Sequence, residues 1–183
     1  MKYNPGNTAI SRNGPSKPAK TIAASSLNNT NILDVGCGKG ADLAFYKKRG
    51  SQVTGYDPYQ EGRNRLPKGQ FRLITITYVL NVQRLMSERI NTLKRARYFL
   101  EDGGHMVVTV RPATKIEREA KNKNWERASF TAYWSNEKRG MCQAALTKET
   151  ILKYAHLARL KESKIKLKIP GATCIILEKK EDQ

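Results

Sequence analysis

A short apolar run, Asn31-Ile-Leu-Asp-Val-Gly36, ends in three alternate glycines, Gly36, Gly38 and Gly40, and leads directly into a helix-like stretch from Ala41 to Arg49. Glycines spaced in this way let the backbone turn sharply and let a ligand reach main-chain amides with no Cβ in between. The segment therefore reads as a strand, a ligand-accepting loop and a helix. Ser51 to Asp57 reads as a second strand ending in an acid, about 20 residues beyond the first glycine. A carboxylate at that place accepts hydrogen bonds from two ribose hydroxyls, so the pair of features predicts a ribose-containing cofactor.

The rest of the chain repeats the alternation. Residues 58 to 70 are polar, turn-rich and too short for both a helix and a strand. Phe71 to Thr77 is a third strand. Val82, Met86, Ile90, Leu93, Ala96 and Leu100 recur at helical spacing, with Arg84, Arg89, Lys94, Arg95 and Arg97 assigned to the outer face. Glu101 to Gly104 is expected to stop that helix before a fourth strand from His105 to Arg111. Residues 112 to 140 form a charged insertion with interleaved aromatics. A helix follows from about Thr147 to 159, and Ile165–Ile169 with Thr173–Leu177 flank Pro170-Gly171 as a terminal hairpin. The expected fold is a Rossmann-like α/β sheet, mainly parallel with a C-terminal antiparallel hairpin and shortened between the second and third strands. Residues 1–20, basic and rich in proline and glycine, are expected to be a flexible arm, and 21–183 a single domain.

Lysine and arginine number 34 against 16 acids, for a formal charge of +18. Such an excess calls for an anionic counterpart, and nucleic-acid phosphate is the usual one. Trp125, Tyr133 and Trp134, with basic neighbours, can stack on bases, or they can form the core of the insertion. With no run of about 18 apolar residues and no apolar leader, the chain is expected to be cytoplasmic with no membrane partner. Three scattered cysteines and two separated histidines predict reduced thiols and no metal. Whether a protein partner is needed is left open by the sequence.

The spacing G-x-G-x-G after Asp34, in ILDVGCGKG, with Gly-Tyr-Asp57 following, resembles motif I and the acidic motif of the class I S-adenosylmethionine-dependent methyltransferases. A nicotinamide dehydrogenase is the alternative, disfavoured because no second nucleotide-binding half follows. The resemblance implies S-adenosylmethionine as cofactor, held by Asp34, Gly36, Cys37, Gly38, Gly40, Asp57, Pro58 and Thr77, with Lys17 or Arg12 of the arm meeting its carboxylate. SKPAKTI, GYDPY, YVLNV and RGMCQAALTKETI are further similar to methyltransferases encoded beside DNA phosphorothioation systems. Met141-Cys142, where that pattern has an aromatic before Gln143, and Arg72, where the superfamily often has Asp, depart from it. GCGKGADL also resembles cap guanine-N7 methyltransferases, over that motif alone.

Methyl transfer from a sulfonium is an in-line displacement, so the protein must chiefly hold the nucleophile about 3 Å from the methyl carbon. The acceptor belongs beyond the carboxyl ends of the strands, which nominates Tyr78, Asn81 and Arg111, with Gln143 added by the resemblance. Asn81 reads equally well as a helix cap. No [DNS]-P-P-[YFW] follows the third strand, so the usual amino-group DNA methyltransferase arrangement is absent, and no Pro-Cys supports a covalent cytosine mechanism. Cys37 reads as a packing residue. The expected function is a methyltransferase acting on nucleic acid or nucleotides. The alternatives are a small-molecule or protein methyltransferase, or a non-catalytic nucleic-acid-binding protein on the same scaffold.

Overall fold

A computed structural model describes residues 3–27 and 31–180. After a 3-10 turn at Pro5–Thr8, the elements are α1 (Lys17–Ala23), β1 (Asn31–Val35), α2 (Ala41–Lys48), β2 (Gln52–Tyr56) and β3 (Phe71–Thr77). They continue as a 3-10 turn at Leu80–Val82, α3 (Met86–Phe99), β4 (Leu100–Val110), α4 (Ala113–Asn122), β5 (Ala132–Asn136) and β6 (Met141–Ala144). The chain closes with α5 (Lys148–Leu157), β7 (Leu160–Glu162) and β8 (Thr173–Lys179).

Six strands form one sheet in the order β2-β1-β3-β4-β8-β7, and β5 with β6 makes a separate pair. β2, β1, β3 and β4 run parallel, while β8 is antiparallel to both β4 and β7. The central strands are apolar on successive residues because both faces are covered. Ile32, Leu73, Val107 and Ile176 pack under α1 and α2 through Ile22 and Tyr46. Leu33, Ile74, Ile76 and Leu177 pack under α3 and α5 through Leu93 and Ile151. The fold is the expected Rossmann-like α/β sheet, mainly parallel, with no helix between β2 and β3. Among the described residues, no helix is long and apolar enough to cross a membrane.

Several local expectations give way. Within the supposed arm, the Ser16 hydroxyl accepts from the Ala19 N–H and starts α1, with Pro18 in its first turn, where a missing N–H costs nothing. β4 begins at Leu100 instead of His105: Leu100 pairs with Phe71, and the register shift before Leu73 absorbs the glycines meant to break the chain. Residues 112 to 140 hold α4, whose polar sequence hides Ile116 and Ala120, and β5, which pairs with β6 just beyond them. The terminal hairpin uses Leu160–Glu162; Ile165–Ile169 forms no strand, although Ile169 is buried. Arg89 does not face solvent: it is 1% exposed.

Candidate functional site

The glycine loop is fixed by its own backbone. The Gly36 N–H donates to the Tyr56 carbonyl at 2.7 Å, and the Gly40 N–H donates to the Cys37 carbonyl at 3.0 Å. Gly36 has φ +72°, and a Cβ there would lie 2.3 Å from Cγ2 of Val79. Only glycine allows that approach of the loop to the chain leaving β3. Asp57, at the end of β2, accepts from the Gly38 N–H through Oδ2 and from the Tyr59 N–H through Oδ1, each at 2.9 Å. Each carboxylate oxygen keeps a second lone pair, so Asp57 is oriented without being exhausted.

Around this loop lies a cleft of about 520 Å³ at the carboxyl ends of the parallel strands. Of the residues singled out in the sequence, Gly36, Cys37, Gly38, Gly40, Asp57, Pro58, Thr77, Tyr78, Asn81, Arg111 and Gln143 all line it. Lys17 and Asp34 do not. Lys17 is exposed at the start of α1, and it is Arg12 that reaches the cleft. Asp34 is buried beneath the loop, where its Oδ1 accepts from the Thr75 hydroxyl at 2.7 Å. Burial lifts its carboxyl to about 7, with the Thr75 bond pulling the other way. Burial likewise pushes the Cys37 thiol up to about 12, aided by Asp34 and Asp57, which keeps it protonated and un-nucleophilic.

Residues 3–12 roof the cleft, so the basic arm lies over the site through Arg12 rather than Lys17. The Tyr3 hydroxyl donates to the Val82 carbonyl at 3.0 Å and accepts from the Arg84 N–H at 2.9 Å. Asn4 and Asn7 bond the Gly140 and Arg139 carbonyls of the β5–β6 turn. At the other end, Asp42 of α2 accepts from the Ser16 N–H and hydroxyl, and Arg12 lies 3.2 Å from its Oδ2. Between these anchors Pro5, Thr8, Ala9, Ile10 and Arg12 face the cleft. The one legible signal was Ser16 three residues before a helical Ala19.

Beyond the loop, Tyr78 sits at φ +59°, an uncommon conformation for a bulky side chain, with its N–H held by the Thr109 carbonyl at 2.8 Å. Burial pushes its hydroxyl above its usual value. Asn81 is 1% exposed; its Nδ2 donates to Gln143 Oε1 at 2.9 Å. Arg111 approaches the same oxygen at 3.4 Å and pairs with Glu119 at 2.5 Å. Arg89 fixes the segment carrying Asn81 by donating to the Leu80, Gln83 and Arg84 carbonyls and to the Thr131 hydroxyl. Trp125, Tyr133 and Trp134 stand outside the cleft, packed against Lys123, Arg127 and the Tyr3–Arg84 pair respectively.

A family model described as methyltransferase domain matches residues 9–147. The chain belongs to that family. This makes it an enzyme that methylates, and the match spans the glycine loop, Asp57, the Asn81–Gln143 contact and the part of the roof from residue 9 onward. No curated protein matches it in sequence. Among solved structures it resembles the 1,6-didemethyltoxoflavin-N1-methyltransferase of Burkholderia thailandensis, with a TM-score of 0.64, 16% identity, and coverage of 90% of this chain and 77% of that one. That structure holds S-adenosylhomocysteine. The CcbJ methyltransferase of Streptomyces caelestis matches with a TM-score of 0.59, 14% identity, and coverage of 90% and 89%. The magnesium protoporphyrin IX methyltransferase of Synechocystis PCC 6803 matches with a TM-score of 0.57, 12% identity, and coverage of 88% and 79%. At these identities the likeness establishes the fold, that of the class I methyltransferases.

Proposed function

We propose that this methyltransferase takes its methyl group from S-adenosylmethionine and passes it to a nucleotide or nucleic acid in the cytoplasm. The observation that carries the cofactor reading is Asp57, oriented by the Gly38 and Tyr59 amides in a cleft whose floor is the glycine loop. The crowding at Gly36 fits this reading, since the loop follows a course that only glycine permits. Asp57 would hold the ribose, Pro58 and Cys37 would flank the adenosine, and Arg12 would meet the methionine carboxylate. Lys17, directed to solvent, drops out of that set, and Asp34 acts from beneath by supporting the loop. When bound, the cofactor supplies an electrophilic methyl carbon. The protein's own work is to orient the acceptor and, with the roof of residues 3–16, to exclude water.

The anionic acceptor is favoured by charge. Arg12, Lys39, Arg95, Arg111 and Lys115 line the cleft with Asp57 as the single acid among the described residues. Arg95 has no acidic partner among them, while Glu119 lies beside both Arg111 and Lys115. The finer likeness to methyltransferases encoded beside DNA phosphorothioation systems rests on sequence motifs and agrees with a phosphate-bearing acceptor. A small-molecule acceptor is the second reading, favoured by the roof, which narrows access to the cleft, and by solved relatives named for toxoflavin and porphyrin precursors.

Calorimetry with S-adenosylhomocysteine tests the cofactor, and no binding would overturn the reading. Binding of single-stranded RNA and DNA across a salt series tests the acceptor: phosphate contacts predict a log–log slope of about −0.7 per contact. A flat salt response would transfer the reading to small molecules.

A further inference from the structure

Asn81 is 1% exposed, lines the cleft, and has an Oδ1 that is buried with no hydrogen-bond partner. Buried acceptors are normally satisfied, so an orphan beside a ligand cleft is informative. Its sense is fixed by a chain of three residues. Arg111 carries only donors, so the Gln143 atom it approaches at 3.4 Å must be the oxygen. That oxygen is also 2.9 Å from Asn81, and the Asn81 atom there must therefore be the donor Nδ2. Oδ1 is what remains. Gln83 also has an orphan oxygen in the cleft, but its amide faces the Thr92 hydroxyl, which can donate or accept and so fixes nothing.

Resting on the methyltransferase reading, we propose that Asn81 Oδ1 selects an acceptor whose nucleophile carries its own N–H, so that the enzyme methylates an amino nitrogen of an anionic molecule. A carboxylate has no proton to offer Oδ1. An alcohol has one, but it also needs a base, and no histidine or glutamate lines the cleft among the described residues, while the free lone pairs of Asp57 are assigned to the ribose. An amine brings its own lone pair. That pair forms the N–CH₃ bond, the S–CH₃ bond breaks with its electrons left on sulfur, and the extra proton on nitrogen leaves to water. Lys115 and Arg111 would face the acidic part of the same molecule. An exocyclic amino group of a nucleotide meets both demands. Arg111 and Gln143 act as positioning residues, holding Asn81 in the accepting orientation.

The test supplies methyl-tritiated S-adenosylmethionine and acceptors matched except at one group. Adenosine and cytidine 5′-monophosphates, and oligonucleotides of those bases, are set against their inosine and uridine counterparts, and 2-aminobenzoate against 2-hydroxybenzoate. The expected result is label on the amino nitrogen, preferred by about tenfold or more over the matched oxygen compound. Asn81→Leu is expected to abolish the preference while S-adenosylhomocysteine affinity stays within about twofold. Arg111→Met, which frees Gln143 to turn its amide, is expected to narrow it. A readout independent of turnover is the Asn81 side-chain amide resonance, which should shift when the amino member is added to the S-adenosylhomocysteine-loaded protein and stay put with its oxygen counterpart. Label on oxygen, or a preference unchanged in Asn81→Leu, overturns the inference and leaves the cofactor reading intact. Failure to bind S-adenosylhomocysteine removes that reading and the inference with it, whereas binding with no label in any acceptor overturns the inference alone.

Discussion

Ser16 and Asp42 are joined twice: the Ser16 N–H donates to Oδ1 of Asp42 at 2.7 Å and its hydroxyl to Oδ2 at 2.8 Å. Since Ser16 also caps α1 and Asp42 lies in the first turn of α2, this one contact pins the roof to the helix that follows the glycine loop. Both residues are buried, which makes the pairing worth more than a surface contact.

Replacing Asp42 by Asn removes the charge that holds Arg12 and one acceptor that holds Ser16. The expected outcome is a loosened roof: tryptic cleavage after Arg12 should accelerate about tenfold, matching the loss of roughly 1.5 kcal/mol from a charge-assisted bond. Limited proteolysis read by mass spectrometry checks this, and S-adenosylhomocysteine should restore protection. Unaltered cleavage would mean that the roof is held by Tyr3, Asn4 and Asn7 alone.

Asp34 makes a pH-dependent prediction. Its folded carboxyl lies near 7, above the ordinary value of 3.8, so between these limits the folded state holds a proton that the unfolded state has released. Stability contributed by this group is therefore full below about pH 4 and falls as pH rises through 7. Asp34→Asn keeps an acceptor for the Thr75 hydroxyl and removes the ionisation, so it should raise Tm at pH 8 and have little effect at pH 4. Scanning calorimetry at both pH values decides it. Because Asp34 does not line the cleft, S-adenosylhomocysteine affinity should change little.

Much of this was legible in the chain itself, and the exceptions share a cause. The loop and Asp57 could be read because their chemistry is local: each glycine and the acid stand at a strand end whose identity follows from a few neighbouring residues. β1 and β3 announced themselves by apolar runs between turn residues. The anchors of the roof were not legible, since they are groups of Tyr3, Asn4 and Asn7 meeting carbonyls 79 or more positions away, as in the Tyr3–Val82 bond. Arg89 was misread for the same reason. A helical wheel puts arginine outside, and only the carbonyls left free by the irregular stretch from Leu80 to Arg84 give its guanidinium a reason to point inward. β4 was set five residues late because Gly103 and Gly104, which end helices and strands alike, sit here within a strand.

Arg89 yields a stability prediction. Removing its side chain strips the Leu80, Gln83 and Arg84 carbonyls of a donor and leaves a hole beside Tyr154. Arg89→Ala should cost about 3 kcal/mol or more, a fall in Tm of roughly 6–12 °C. Arg89→Lys, with three donors in place of five, should recover only part of that. Thermal unfolding of the two variants tests this, and a loss under about 0.5 kcal/mol would return Arg89 to the surface role its helical position suggests.

Asp57 carries the cofactor reading and makes the most demanding prediction. Asp57→Ala removes the acceptor for two ribose hydroxyls and also releases the Gly38 N–H, so the loop loses its orientation together with its ligand contact. At about 1.5–3 kcal/mol for a bond to a charged group, S-adenosylhomocysteine affinity should fall at least tenfold and as much as a hundredfold. Asp57→Asn separates the two effects: one amide oxygen can still accept from Gly38 or a hydroxyl, but not with the charge, so its affinity should lie between wild type and Asp57→Ala. Melting temperature in the absence of ligand should fall by only a few degrees in both, because Asp57 borders the cleft and the core beneath it is untouched. Calorimetric binding alongside ligand-free melting curves distinguishes these outcomes. Equal affinity in all three proteins would deny Asp57 any part in holding the sugar.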